Sequence, residues 1–166
     1  MFKEVKGDAW DFHAQGAMLC ITTNGSIHKK HMGDKDPIRV VTGAGIAQQA
    51  TERFPSFPWE VGGKIAEYGN HVFLCKNHLI SFPVKHEWHE IATLDLIRRS
   101  MEELLKLVLV YDFENIILPR PGCGNGQRVY ETEVRPILEY YANYWGDYAD
   151  RFTIISDLSV ERGVRE

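Results

Sequence analysis

The chain has 166 residues, 44% of them hydrophobic and 25% charged, with a formal net charge of −4. That is one domain's worth of chain with enough apolar content for a core, which excludes disorder, collagen and coiled coil. The negative balance excludes a globally basic nucleic-acid surface, and the longest apolar run, Leu104 to Tyr111, is broken by Lys106 and too short to span a membrane.

In chain order, Phe2 to Val5 predicts a short first strand ending at Gly7-Asp8. Ala17 to Thr22 is a continuous apolar run, the pattern of a strand buried on both faces. The polar stretch from Thr23 to Thr42 reads as a loop, and its length hints at function. Gly43 to Phe54 reads as a helix with its glycines at the start and Pro55 as its stop. His71 to Cys75 and His78 to Phe82 predict two strands joined by a tight turn at Lys76-Asn77.

Ile91 to Val110 is the clearest helix, with Leu94, Ile97, Met101, Leu104, Leu105 and Val108 on one face. Asn115 to Leu118 reads as another buried strand. Val134 to Trp145 reads as an amphipathic helix that tolerates Pro136 only in its first turn. Phe152 to Ser156 reads as the last strand. Strands interleaved with helices predict one domain over residues 1–166, a three-layer α/β/α architecture with a mixed central sheet. Ligands of such sheets sit beyond the carboxyl ends of the strands.

Two segments share one predicted layout of buried strand, glycine-rich loop and helix. One is Val40-Val41-Thr42-Gly43-Ala44-Gly45-Ile46-Ala47. The other is Ile117-Leu118-Pro119-Arg120-Pro121-Gly122-Cys123-Gly124-Asn125-Gly126. Glycine lets backbone N–H groups approach an anion closely, and a helix N-terminus adds a favourable dipole. A pair of such loops can clasp a diphosphate from both sides. Neither loop is a Walker motif, because no Gly-Lys-Ser/Thr follows, and neither is G-x-G-x-x-G, so a dinucleotide-dehydrogenase reading is poor.

These loops, with Gly7-Asp8-Ala9, Cys20-Ile21-Thr22-Thr23-Asn24-Gly25 and Ser81-Phe82-Pro83-Val84-Lys85-His86-Glu87-Trp88, resemble the macro domain family. The resemblance runs over roughly residues 3 to 156 and is most specific at Leu118 to Gly126. It is nearest to the branch that removes ADP-ribose from DNA bases or protein carboxylates. It implies a macro domain that binds ADP-ribose or a terminal ADP-ribosyl group on DNA or protein.

The resemblance implies roles residue by residue. Asp8, beside Ala9, takes the place of the Asp that accepts from the adenine amino group, an apt job for a carboxylate. Asn24 takes the place of the Asn facing the distal ribose. Gly43, Ala44, Gly45, Ile46 and Ala47 line that ribose and one phosphate. Gly122, Cys123, Gly124, Asn125, Gly126 and Gln127 wrap the diphosphate. Hydrolytic members are expected to carry a Lys on the helix after the first glycine loop, where this chain has Thr51. They also carry an Asp after the second loop, where it has Val129, which can neither activate water nor stabilise a cation. Glu131, His31 and Glu52 are the candidate substitutes. Binding without hydrolysis is therefore expected, with a hydrolase or an ADP-ribose 1″-phosphate phosphatase of nonstandard catalytic set as the alternative.

His28 and His31 lie among Lys29, Lys30 and Lys35, a poor setting for zinc, so that stretch is either a solvated loop or a flap over the ligand. Trp88 with Lys85, between His86 and His89, resembles the family's loop bordering the substrate. Cys123 is expected to pack rather than react. No metal or cofactor is expected. Three scattered cysteines (Cys20, Cys75, Cys123) and a charged start, MFKEVKGD, predict no disulfide framework, no signal peptide and a cytoplasmic setting.

Overall fold

A strand buried on both faces must be apolar at every position, and the apolar runs of this chain form the middle of one sheet. The structure is a computed structural model that describes residues 1–29 and 37–157. The strands are β1 (Lys3–Gly7), β2 (Met18–Thr23), β3 (Ile27–Lys29), β4 (Ile38–Val40), β5 (Phe73–Leu74), β6 (Leu79–Pro83), β7 (Ile116–Pro119) and β8 (Phe152–Asp157). Six of them form a sheet in the order β1-β8-β7-β2-β6-β5. Neighbours are parallel except β5 and β6, which are antiparallel, so the sheet is mixed.

Side chains alternate across this sheet and feed two cores. Met18, Cys20, Ile80, Phe82, Ile116 and Leu118 join one with helices α4 (Leu94–Tyr111) and α5 (Arg135–Trp145). Leu19, Ile21, Leu79, Ile117 and Ile155 join the other with α1 (Ala9–Ala14), α2 (Gly45–Arg53) and α3 (Phe57–Tyr68). The result is the three-layer α/β/α arrangement with a mixed sheet. Ile97, Met101, Leu104 and Val108 of the expected α4 face are buried, and Leu94 and Leu105 pack at its margin. Pro136 lies in the first turn of α5, after a single π-helical turn at Tyr130–Val134. No helix among the described residues is long and apolar enough to cross a membrane.

One expectation is corrected. The stretch Thr23 to Thr42 is not only loop, because β3 and β4 pair antiparallel within it, Ile27 opposite Val40. Residues His31, Lys30 and Lys35 of that stretch lie outside the described residues. In addition, Phe57 to Tyr68, a stretch assigned no element from the sequence, forms a full helix. Pro58 sits in the first turn, where its missing N–H costs nothing. Gly62 is a packing requirement, since a Cβ there would lie 2.5 Å from the Arg39 Cα and the Ile38 carbonyl oxygen. Its absence lets α3 lie directly on β4.

Candidate functional site

The loops leaving the carboxyl ends of β2, β4, β6 and β7, with the end of β8 itself, line one cavity of about 960 Å³. Both glycine-rich loops face it. In the first, Ala44 takes the N-cap position of α2 with extended backbone, and no side chain caps the helix. The first-turn N–H groups are thus left for another acceptor. Asn24 fixes the loop from β2. Its Nδ2 donates to the Val41 carbonyl at 3.0 Å, and its Oδ1 accepts from the Ser26 N–H at 2.9 Å.

In the second loop the Arg128 N–H donates to the Gly122 carbonyl at 2.9 Å and the Gln127 N–H to Gly124 at 3.1 Å. The Ala92 N–H, just before α4, donates to the Gly126 carbonyl at 2.9 Å. The N–H groups of Gly124, Asn125 and Gly126 meet no acceptor among the described residues. The glycines differ in kind. A Cβ on Gly126 would lie 2.5 Å from the Gly122 carbonyl oxygen and 2.8 Å from the Ala92 methyl. A Cβ on Gly43 or Gly124 would meet nothing within 4 Å. Gly126 is needed for the loop to close, whereas Gly43 and Gly124 only keep the cavity wall bare.

The wall therefore gathers Asn24, all five residues from Gly43 to Ala47, and all six from Gly122 to Gln127. It does not gather Asp8 and Ala9. The Asp8 carboxylate caps α1, accepting from the Trp10 N–H at 2.9 Å, and Ala9 is buried with its N–H 3.4 Å from Asp157 Oδ2. Asp157 does line the cavity.

No protein-family model matches the sequence, and no curated protein matches it. Solved structures do. The macrodomain of Mycobacterium tuberculosis DarG is 19% identical over 92% of this chain and 97% of that one, with a TM-score of 0.69. The macrodomain of Thermus aquaticus DarG is 19% identical over 93% of this chain and 97% of that one, at 0.64. Thermosipho africanus DarTG, solved in complex with ADP-ribose, is 15% identical at 0.63, over 85% of this chain and 38% of that longer one. The chain has the macro domain fold.

Thr51 and Val129, and the candidate substitutes Glu52 and Glu131, are not part of the cavity wall. Thr51 Oγ1 donates to the Ala47 carbonyl at 2.9 Å, lies 2.8 Å from the Thr42 hydroxyl, and is not part of the wall. Val129 is exposed and off the wall, and Glu131 pairs with Arg135 at 3.5 Å. Glu52 is exposed and off the wall, and His31 lies outside the described residues.

A lysine nevertheless reaches the cavity wall, from the segment between β6 and α4. Lys85 Nζ donates to the Trp88 carbonyl at 3.2 Å and the Asn125 carbonyl at 3.1 Å. Partial burial holds its ammonium below the ordinary lysine range. Trp88 and His89 line the same end. Cys123 is pushed up to about 12 by burial, only partly offset by Arg120, and its Sγ donates to the Pro121 carbonyl at 3.4 Å. It is no thiolate nucleophile at neutral pH. Lys85, Arg120, Arg128, Tyr130 and Asp157 all line the cavity. None of them was assigned a binding or catalytic role from the sequence, although Arg120 stands inside the most specific motif.

Proposed function

We propose that this domain binds ADP-ribose or a terminal ADP-ribosyl group carried by DNA or protein. The observation that carries the reading is the meeting of the two glycine-rich loops across one cavity. It presents unpaired backbone N–H groups from one side and an uncapped helix N-terminus from the other. A diphosphate between them accepts from both loops, and the cavity extends past it toward β8 on one side and Lys85 on the other. The likeness to macrodomains, one of them solved with ADP-ribose, supports the same ligand. The free cysteines Cys20, Cys75 and Cys123 suit a reducing compartment, and we place the protein in the cytoplasm.

A calorimetric titration tests the reading. ADP-ribose is expected to bind in the micromolar range, roughly −8 kcal/mol. AMP, which lacks the distal ribose and one phosphate, is expected to bind far more weakly. No heat and no thermal shift at millimolar ADP-ribose would overturn the reading.

Lys85 favours a second reading, slow removal of ADP-ribose from an acceptor. A cationic or neutral amine at the end of the cavity opposite β8 is placed to act on the bond joining the distal ribose to its acceptor. Depressed basicity raises the fraction of neutral amine available for such work. Product analysis with an ADP-ribosylated acceptor separates this reading from binding alone.

A further inference from the structure

Among the described residues, only two that carry carboxylates line the cavity, Glu90 and Asp157. They belong to different ends. Asp157 closes β8, Glu90 follows β6, and β7 and β2 stand between those two strands. The Asp157 carboxylate is engaged, with Oδ2 3.4 Å from the Ala9 N–H. The Glu90 carboxylate has no hydrogen-bond or ion-pair partner among the described residues. Its backbone, by contrast, is fixed. The Glu90 N–H donates to the Glu87 carbonyl at 3.1 Å. Glu87 is held in turn by the Ser26 hydroxyl, which donates to its Oε2 at 2.5 Å and accepts from the Trp88 N–H at 2.8 Å. Beyond Glu90, the Ala92 N–H ties the segment to the Gly126 carbonyl of the second glycine loop. The Lys85 ammonium, on the same segment, holds the Trp88 carbonyl. One tied segment thus brings an ammonium and an unengaged carboxylate to one end of the cavity.

We propose that Glu90 is the catalytic carboxylate in slow removal of ADP-ribose from its acceptor, taking a proton from the attacking water. This deepens the removal reading and rests on it. The water oxygen bonds to the anomeric carbon of the distal ribose while the bond from that carbon to the acceptor oxygen or nitrogen breaks. The electron pair of the broken bond goes to the acceptor, which takes a proton from the Lys85 ammonium. The water proton passes to Glu90 and returns through solvent to Lys85. The products are ADP-ribose and the free acceptor, and both side chains are restored. Cleavage of a ribosyl bond passes through a cationic sugar, and an acid paired with a carboxylate base is the usual device for it. An anion beside that cation stabilises it, which a neutral imidazole such as His89 does not. The carboxylates after the second glycine loop are poorly suited to the task. Glu131 and Glu133 are paired with Arg135 and Arg128, and neither is part of the wall.

The test is single-turnover release of ADP-ribose from a modified DNA oligonucleotide and from a modified protein. The unmodified chain is compared with Glu90→Gln, Glu90→Asp and His89→Gln, and each is also titrated with ADP-ribose and melted. Glu90 is exposed, so its variants should keep the melting temperature. Glu90→Gln should slow release by about 10²–10⁴-fold, the share of one general base, with ADP-ribose affinity unchanged. Glu90→Asp should recover part of that rate, because it keeps the base and shortens its reach. Release by Glu90→Gln at the unmodified rate would overturn the proposal. A fall in ADP-ribose affinity as large as the fall in rate would make Glu90 a binding contact and overturn it too. So would loss of release in His89→Gln with Glu90→Gln still active, since the base would then be the imidazole. No release by the unmodified chain, with ADP-ribose still bound, would overturn the removal reading together with the role of Glu90. No binding of ADP-ribose at all would overturn the binding reading as well, a result distinct from the others.

Discussion

Lys85 Nζ donates to the Asn125 carbonyl oxygen at 3.1 Å, so a side chain from the end of β6 holds the middle of the second glycine loop. The same ammonium holds the Trp88 carbonyl. One charge therefore joins both walls at one end of the cavity, and it does so while partly buried. This geometry makes Lys85 sensitive to a bound anion.

Affinity for ADP-ribose is accordingly expected to fall as the solution becomes alkaline. Burial lowers the Lys85 pKa in the free protein, so it loses its proton below the ordinary lysine range. A diphosphate nearby favours the protonated form and raises that pKa on binding. Binding then takes up a proton wherever free Lys85 is partly neutral, and affinity drops as pH rises through that window. Calorimetry from neutral pH to about pH 10, in buffers of different ionisation heat, should show this uptake. Lys85→Met should remove it. An identical alkaline loss in the methionine variant would assign it elsewhere.

The two kinds of glycine in the second loop predict opposite phenotypes. Gly124→Val places its Cβ where nothing lies within 4 Å, so the melting temperature should change little while ADP-ribose binding is lost. Gly126→Ala forces a methyl against the Gly122 carbonyl and the Ala92 side chain, and should cost about 1–3 kcal/mol of stability. Thermal melts and titrations on both variants separate the effects. Retained affinity in Gly124→Val would remove that stretch of loop from the ligand site.

Gly62→Ala is expected to destabilise the chain although it raises helix propensity. Alanine gains about 1 kcal/mol in a helix interior. The new methyl would lie 2.5 Å from backbone atoms of β4, which cannot yield as a flexible side chain would. Overpacking of that kind costs about 1–3 kcal/mol, so the net effect is a lower melting temperature. Because β4 leads directly into the first glycine loop, ADP-ribose affinity should fall with it. An alanine variant as stable as its parent would show that α3 can shift away from β4.

The central strands were legible because burial on both faces leaves an unbroken apolar signature at β2, β6 and β7. The long amphipathic face of α4 was legible for a similar reason. The α3 helix was not, since Pro58 and Gly62 carry their usual breaker meaning until one knows that β4 lies against them. The β3–β4 pair was hidden by polar composition, as two strands outside the main sheet need no apolar alternation. Both glycine loops were readable from local spacing alone. The contact of Lys85 with Asn125 was not, because it joins segments 40 residues apart. Asp8 shows the converse limit, since a carboxylate before a helix serves equally as a cap or as a ligand contact.

Asp8 can be assigned by a pair of substitutions. Asparagine caps a helix about as well as aspartate, whereas alanine does not and typically costs about 1 kcal/mol. Asp8→Asn should therefore keep the melting temperature that Asp8→Ala loses. If Asp8 also accepts from the adenine amino group, both variants should weaken ADP-ribose, the alanine by roughly 1–3 kcal/mol. Unchanged affinity in Asp8→Asn would leave Asp8 as a cap alone.

Hydrolysis provides the last test, and Lys85 is its pivot. The segment after the second glycine loop offers no carboxylate to the cavity, because Val129 faces solvent and Glu131 is engaged with Arg135. An enzyme lacking one well-placed acid or base typically loses about 10²–10⁴-fold in rate. Release of ADP-ribose from modified DNA or protein, and of phosphate from ADP-ribose 1″-phosphate, is therefore expected to fall well below about 1 s⁻¹. Whatever turnover remains should depend on Lys85, whose amine stands at the end of the cavity away from β8. Chromatography of the products should show Lys85→Met at background, with Glu131→Gln equal to the unmodified chain. Rapid turnover that survives Lys85→Met but not Glu131→Gln would move the chemistry to the π-helical turn and require that turn to close over the ligand. No release from any substrate, with tight binding retained, would make the domain a reader of ADP-ribose.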